Sequence, residues 1–291
     1  MTRWTIPRRS PTGRGSSVLP HGVCGALLVV LAAAAPAAGQ DYALTIAATT
    51  SVEDSGLFAL LLPKFESRTG MKARVLSRPS SGLLSMAARG GVDVVIVNHP
   101  HGLERFVNSG HAVRRHYLMY NDFVIAGPVS DPAQVMGSKD APEALRTIAR
   151  LRVPFFSRGD ESGTHVAEQR LWTIAGIEPK TRSGDWYRQT GLGMGATVEM
   201  ASRSGGYVLT DRASWLAHRS GNDQRILFEG DPKLFDQYQV AVVNPEKHPE
   251  MSIVAALAFV DWLISAEGQD AIAGYKVDGQ QAFYPNARLQ N

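Results

Sequence analysis

The chain has 291 residues, with 30 Lys and Arg against 27 Asp and Glu and a single cysteine, Cys24. Removing Arg3, Arg8, Arg9 and Arg14, which lie in a leader-like first segment, leaves 26 basic residues against 27 acidic ones. The chain beyond that segment therefore has no disulfide, no thiol chemistry and no basic surplus with which to hold a nucleic acid.

Those four arginines form a positive stretch without an acid, and residues 25–35 (GALLVVLAAAA) follow as an apolar run too short for a stable bilayer anchor. Ala35, Pro36, Ala37, Ala38, Gly39 and Gln40 supply small residues for cleavage, so residues 1–39 are expected to be a secretory signal peptide. Ser10 and Pro11 after the Arg8-Arg9 pair do not continue a twin-arginine motif, and Cys24 lacks a lipobox. About 250 residues remain, enough for one large α/β domain or two lobes.

From there short β-rich runs alternate with helical patterns. Residues 42–46 read as a strand and 57–65 as a helix, with Pro63 expected to kink or fray it. Asp54 is expected to cap that helix. Residues 72–76 read as a strand, 82–88 as a short helix and 92–97 (VDVVIV) as a buried strand. Strand 123–126, helix 141–150, strand 152–156 and a helix over 165–174 come next. Strand 206–209, helix 213–218, strand 238–243 and a closing helix over 253–265 complete the chain. Alternation at this spacing predicts mostly parallel sheets with helices on both faces, and such sheets bind ligands where strand ends feed helix starts.

One local design recurs at those junctions. A strand ends, Ser, Thr or Gly residues follow, and a helix begins: Thr49, Thr50 and Ser51; Ser80, Ser81 and Gly82; residues 157–165 (SRGDESGTH); residues 193–197 (GMGAT, with Thr197); and Thr210, Asp211 and Arg212. Each offers hydroxyls or open backbone beside unsatisfied helix N–H groups, a suitable seat for an anion. Ser and Thr are also ordinary N-caps, so a single such loop says little. The loop with Arg158 says more. Its guanidinium brings a full charge and a fork of donors to a turn that also carries Ser162, Gly163 and Thr164, and this suits a tetrahedral oxyanion. The plain alternative is a surface ion pair of Arg158 with Asp160 or Glu161.

Catalysis has less support. Ser162 and His165 sit three apart on one turn, where the imidazole is badly placed to take the hydroxyl proton, and no Gly-x-Ser-x-Gly elbow or His-Glu-x-x-His motif occurs. His99 and His101 have no third metal ligand nearby in sequence. The expectation is a binding protein, not an enzyme, with no catalytic residue, no bound metal and no cofactor.

The strings at 49–51 with 54–56, at 120–123 (YNDF), 157–165, 193–197 and 210–212 resemble the periplasmic tungstate-binding proteins of ABC transporters, from about residue 44 to 244. The resemblance implies a periplasmic-binding-protein-like α/β fold of class II: two α/β lobes joined by crossover strands, with the ligand cleft between them. It implies lobe one at 41–122 plus 241–291 and lobe two at 123–240. Thr50, Ser51, Arg158 and Thr164 fall on anion-contacting positions. Ala48 stands where a further threonine is usual, and Ser80 after Pro79 has to serve for another. The implied ligand is tungstate, with molybdate, phosphate or sulfate as alternatives and an exported hydrolase or a sensor as rivals from other classes. The implied partners are an ABC permease and its ATPase, and the implied setting is the periplasm, with the chain acting as a monomer without nucleic acid or membrane insertion. A carboxylate turned toward the anion, from Asp54 or Asp160, would favour phosphate, which carries a proton; donors alone would favour tungstate, molybdate or sulfate.

Overall fold

A computed structural model describes residues 43–179, 184–219, 221 and 223–287. The signal peptide expected over 1–39, Cys24 within it, Tyr42 and the last residues of the expected first lobe lie outside the described residues.

The chain opens with β1 (Leu44–Thr49), a one-turn helix α1 (Thr50–Asp54), α2 (Leu57–Thr69), β2 (Ala73–Arg78), α3 (Ser80–Ala88), β3 (Val94–Val97) and α4 (Pro100–Asn108). A long strand β4 (Ala112–Pro128) leads to α5 (Ala141–Leu151), β5 (Phe155–Ser157), α6 (Gly163–Ile174), β6 (Tyr187–Gln189), α7 (Met194–Arg203), β7 (Tyr207–Asp211) and α8 (Arg212–His218). Then come β8 (Gln224–Phe228), β9 (Phe235–Val243), α9 (Ile253–Ile264) and α10 (Ala266–Ala273), with short strands β10 (Lys276–Val277), β11 (Gln280–Gln281) and β12 (Tyr284–Pro285). Helix α2 runs unbroken through Pro63, against the expected kink. Pro63 and Ala59, whose carbonyl loses its helical donor, are both exposed, so water can satisfy that group. Ser55, not Asp54, supports the start of α2, through Leu57 N to Ser55 Oγ at 3.3 Å.

The strands run in the order β2-β1-β3-β9-β4-β7-β5-β6. Strands β1, β2 and β3 are parallel, as are β5, β6 and β7, but β9 is antiparallel to both β3 and β4, and β4 to β7. The sheets are thus mixed, not mostly parallel, because two strands return between the halves. Strand β4 is the bridge: up to Asp122 it pairs with β9, and from Phe123 onward with β7 and β8. The chain re-enters the first sheet at Phe235, which pairs with Asp122, ahead of position 241.

Each half has its own core, split by its sheet into two faces. In the first, Ile46, Val94, Ile96, Val240 and Val242 point to Phe65 of α2 and Phe259 of α9. The intervening Ala47, Val95, Val97, Ala241 and Val243 point to α3 and α4 through Leu83, Leu103 and Phe106. Both faces are covered, which is why these strands read as unbroken apolar runs. In the second half Phe123, Ile125 and Leu209 meet Leu145 of α5 and Trp172 of α6, while Val124, Ala126 and Val208 meet Val198 of α7 and Trp215 of α8. No helix among the described residues is long and apolar enough to cross a membrane.

Candidate functional site

Loops at the ends of β1, β3, β5 and β7 bring polar residues of the two halves together. Ser157 ends β5, and Gly159 and Glu161, both with positive φ (65° and 59°), fold the loop back on itself before α6 begins. Ser162 caps α6, its Oγ accepting from His165 N at 3.2 Å, and His165 Nδ1 accepts from Glu161 N at 3.0 Å. The hydroxyl and imidazole that might suggest a nucleophile and base are therefore bound into the helix start.

Arg158 is almost wholly buried, 1% exposed. Its Nε and Nη2 donate to Asp160 Oδ2 at 3.1 and 2.6 Å, and Nη2 also reaches Thr50 Oγ1 of the other half at 2.8 Å. Asp160 Oδ1 in turn accepts from Ser162 N at 3.2 Å. The pairing with Asp160 thus exists, but it is buried and bridges to the other half instead of decorating the surface. Arg158 Nη1 is buried without a hydrogen-bond partner, as are the hydroxyls of Thr49 and Thr164. Three buried donors left unpaired in a folded protein are costly unless something accepts from them.

The remaining expected residues are placed as follows. Ser51, buried in α1, lies beside Asp211 and Tyr238. Ser80, at the start of α3, donates to Asn98 Oδ1 at 3.3 Å. Ser81 lines a separate recess with Leu84, Ser85, His99 and Arg105. Gly163 packs against the Asn98 side chain. Thr197 is buried in α7, its hydroxyl bonded to Gly193 O at 2.9 Å and to Thr190 Oγ1 at 2.8 Å. Ala48, where another threonine is usual, is a core residue of β1. His99 caps α4 by accepting from Gly102 N, and His101 is exposed beside Glu104. Among the described residues no three metal-ligating side chains cluster.

Asn98 and Asp236, two polar residues at the junction, were not singled out from the sequence, and Asn121 and Asp211, which lie in quoted strings, were given no role there. Asn98 follows the last residue of β3, and its Nδ2 donates to both oxygens of Asp236 at 3.1 and 3.2 Å. Asn121 Nδ2 donates to Asp211 Oδ1 at 3.2 Å, and that oxygen also caps α8 by accepting from Ser214 N at 2.9 Å. Burial pushes the Asp211 carboxyl up, offset in part by Ser214 and the Arg158 charge. Asp236 is pushed well up, first by burial and then by Asp211, with Asn98 and Tyr238 opposing. The one signal for Asn98 was its position as the first polar residue after VDVVIV.

A PBP superfamily domain model matches residues 32–267. The tungstate-binding protein TupA of Peptoclostridium acidaminophilum is 38% identical over 248 residues, covering 84% of this chain and 86% of that protein. Among solved structures, the tungstate ABC transporter from Geobacter sulfurreducens is 41% identical with a TM-score of 0.73, over 80% of this chain and 98% of that one. The tungstate-binding protein TupA from Desulfovibrio alaskensis is 39% identical with a TM-score of 0.71, over 84% and 98%. With matches of this extent in sequence and in fold, the chain belongs to the PBP superfamily and, within it, to the family of tungstate-binding proteins of ABC transporters.

Proposed function

We propose that this chain captures tungstate between its two halves and delivers it, outside the cytoplasm, to an ABC permease driven by its ATPase. The observation that carries the reading is the buried Arg158 guanidinium, tied across the cleft to Thr50 and keeping Nη1 unpaired. Thr49, Thr50 and Ser51 from one side and Arg158 and Thr164 from the other form the ligand shell in this reading. The first lobe comprises the strands that pair with β1, β3 and β9, and the second comprises residues from Phe123 to the return at Phe235.

Selection among oxyanions follows from protons. Phosphate near neutral pH carries one and needs an acceptor, whereas tungstate, molybdate and sulfate need only donors. Both oxygens of Asp160 are engaged, one by Arg158 and one by Ser162 N. Both oxygens of Asp236 accept from Asn98 Nδ2. That favours a fully deprotonated anion, and the family supports tungstate among those.

The test is thermal denaturation and calorimetry of the chain lacking residues 1–39 against tungstate, molybdate, sulfate and phosphate at one pH. Tungstate at ~100 times its Kd should add about 2.7 kcal/mol of stability. Sulfate and phosphate at that concentration should add little. A larger shift with phosphate than with tungstate overturns the reading.

A further inference from the structure

Asn98 and Gly163 come from opposite halves of the molecule, the first from the loop after β3 and the second from the first position of α6. They touch so closely that a Cβ placed on Gly163 would stand 2.2 Å from Asn98 Oδ1, 2.5 Å from its Cγ and 2.8 Å from its Nδ2. No carbon approaches an amide group that closely without displacement. The backbone of Gly163 does not adopt a positive φ, so the position makes no conformational demand for glycine. Alanine would be the better helix former there. The three atoms nearest to such a Cβ all belong to Asn98.

Asn98 is also held by two partners. Ser80 donates to its carbonyl oxygen, its amide nitrogen donates to both oxygens of Asp236, and the side chain is buried. Asp236 is the second residue of β9, at the point where the chain re-enters the first sheet. The amide is therefore fixed to the strand that links the halves and pressed against the first residue of the helix that carries Thr164.

We infer that Asn98 is the positioning residue that sets how far the two halves close: its amide, held by Ser80 and Asp236, is the stop against which Gly163 seats, and this places Thr164 and Arg158 within reach of the anion. The inference rests on the reading of the cleft as an oxyanion site. It also gives Ser80 a task other than touching the ligand, since its hydroxyl hydrogen is spent on Asn98.

The experiment compares wild type, Gly163→Ala, Asn98→Ala and the Gly163→Ala/Asn98→Ala double variant by small-angle scattering and by calorimetry with sodium tungstate, with circular dichroism to verify folding. Gly163→Ala should wedge the halves apart, raising the radius of gyration with or without tungstate and weakening tungstate binding at least tenfold. The double variant should return the radius to the wild-type value and recover most of the lost affinity, because the atoms that met the new methyl are gone. A purely local effect on α6 would not be rescued from the other half. Scattering unchanged in Gly163→Ala, or a double variant no better than Gly163→Ala, overturns the inference. If the scattering series behaves as expected while wild type ignores tungstate, the stop is supported and only the anion reading falls.

Discussion

At the scale of single residues, Arg158 has its Nε and Nη2 committed to Asp160 and Thr50 and its Nη1 still to be satisfied. A hydrogen bond to a charged group contributes about 1.5–3 kcal/mol net. Arg158→Ala should therefore weaken tungstate binding roughly tenfold to a hundredfold in calorimetry, at about 1.4 kcal/mol per decade. Arg158→Lys should recover only part of it, because an ammonium cannot hold Asp160 and Thr50 together as a fork does. Thr164→Val, which removes a neutral donor, should cost less. Wild-type affinity in Arg158→Ala would move the site elsewhere. This residue was legible in the sequence because a lone cation in a Ser/Gly/Thr turn before a helix is chemically conspicuous. Asn98 and Asp236 were not, since they stand 138 positions apart and meet only through sheet pairing. Nor could the sequence say which way Asp160 points; the left-handed residues Gly159 and Glu161 decide that by turning the loop back toward Arg158.

At the scale of elements, α6 carries Thr164 at its start and a fully buried acid four residues on. Glu168 Oε1 accepts from Tyr187 OH at 2.7 Å and Trp172 Nε1 at 3.0 Å. Burial pushes its carboxyl up to about 7, and those hydrogen bonds offset only part of the cost. With the folded value above the unfolded one, the native state holds the proton more tightly. The contribution is thus fully present below the unfolded pKa near 4.5 and is lost as pH rises through about 7. Glu168→Gln keeps the acceptor and removes the titration. Wild type should lose more melting temperature between pH 5 and pH 8 than Glu168→Gln, and parallel pH profiles of the two would refute this account. The helix itself was read from its apolar spacing, but its buried acid was not, because an isolated Glu on a helix normally faces water. Strand β4 was only half read. Residues 123–126 are continuously apolar, whereas Ala112 to Tyr117 include Arg114, Arg115 and His116 with half the positions exposed, a pattern without the apolar alternation that marks a strand.

At the scale of the whole molecule, each half buries its own core, and the two meet through β4, β9, Ala213 of α8, Val277 and the cleft contacts. A ligand held by donors from both sides must stabilise both cores. Hydrogen exchange of β1 and β5 amides in mild denaturant should show each segment gaining protection with saturating tungstate. Protection confined to one of them would place the ligand within a single half. The two-lobed α/β plan was legible through the family likeness. The mixed strand directions were not, because strand–helix alternation is the same whether or not the chain crosses over and returns.

The placement of β9 between β3 and β4 also dictates an order of assembly. A chain made from its N-terminus has β1, β2, β3 and the first part of β4 available while the strand that must sit between them is still unmade. The segment from Phe123 to Phe228 is continuous and holds every strand of its own sheet, so it is complete as soon as it emerges. The first sheet keeps a one-strand gap until Val243 is synthesised, more than a hundred residues after β3 ends. Closing so long a loop is slow, and the unpaired edges of β3 and β4 remain open meanwhile. The half that is first in sequence is thus the last to become whole, and the newborn protein spends an interval with one finished lobe and one still waiting for its centre.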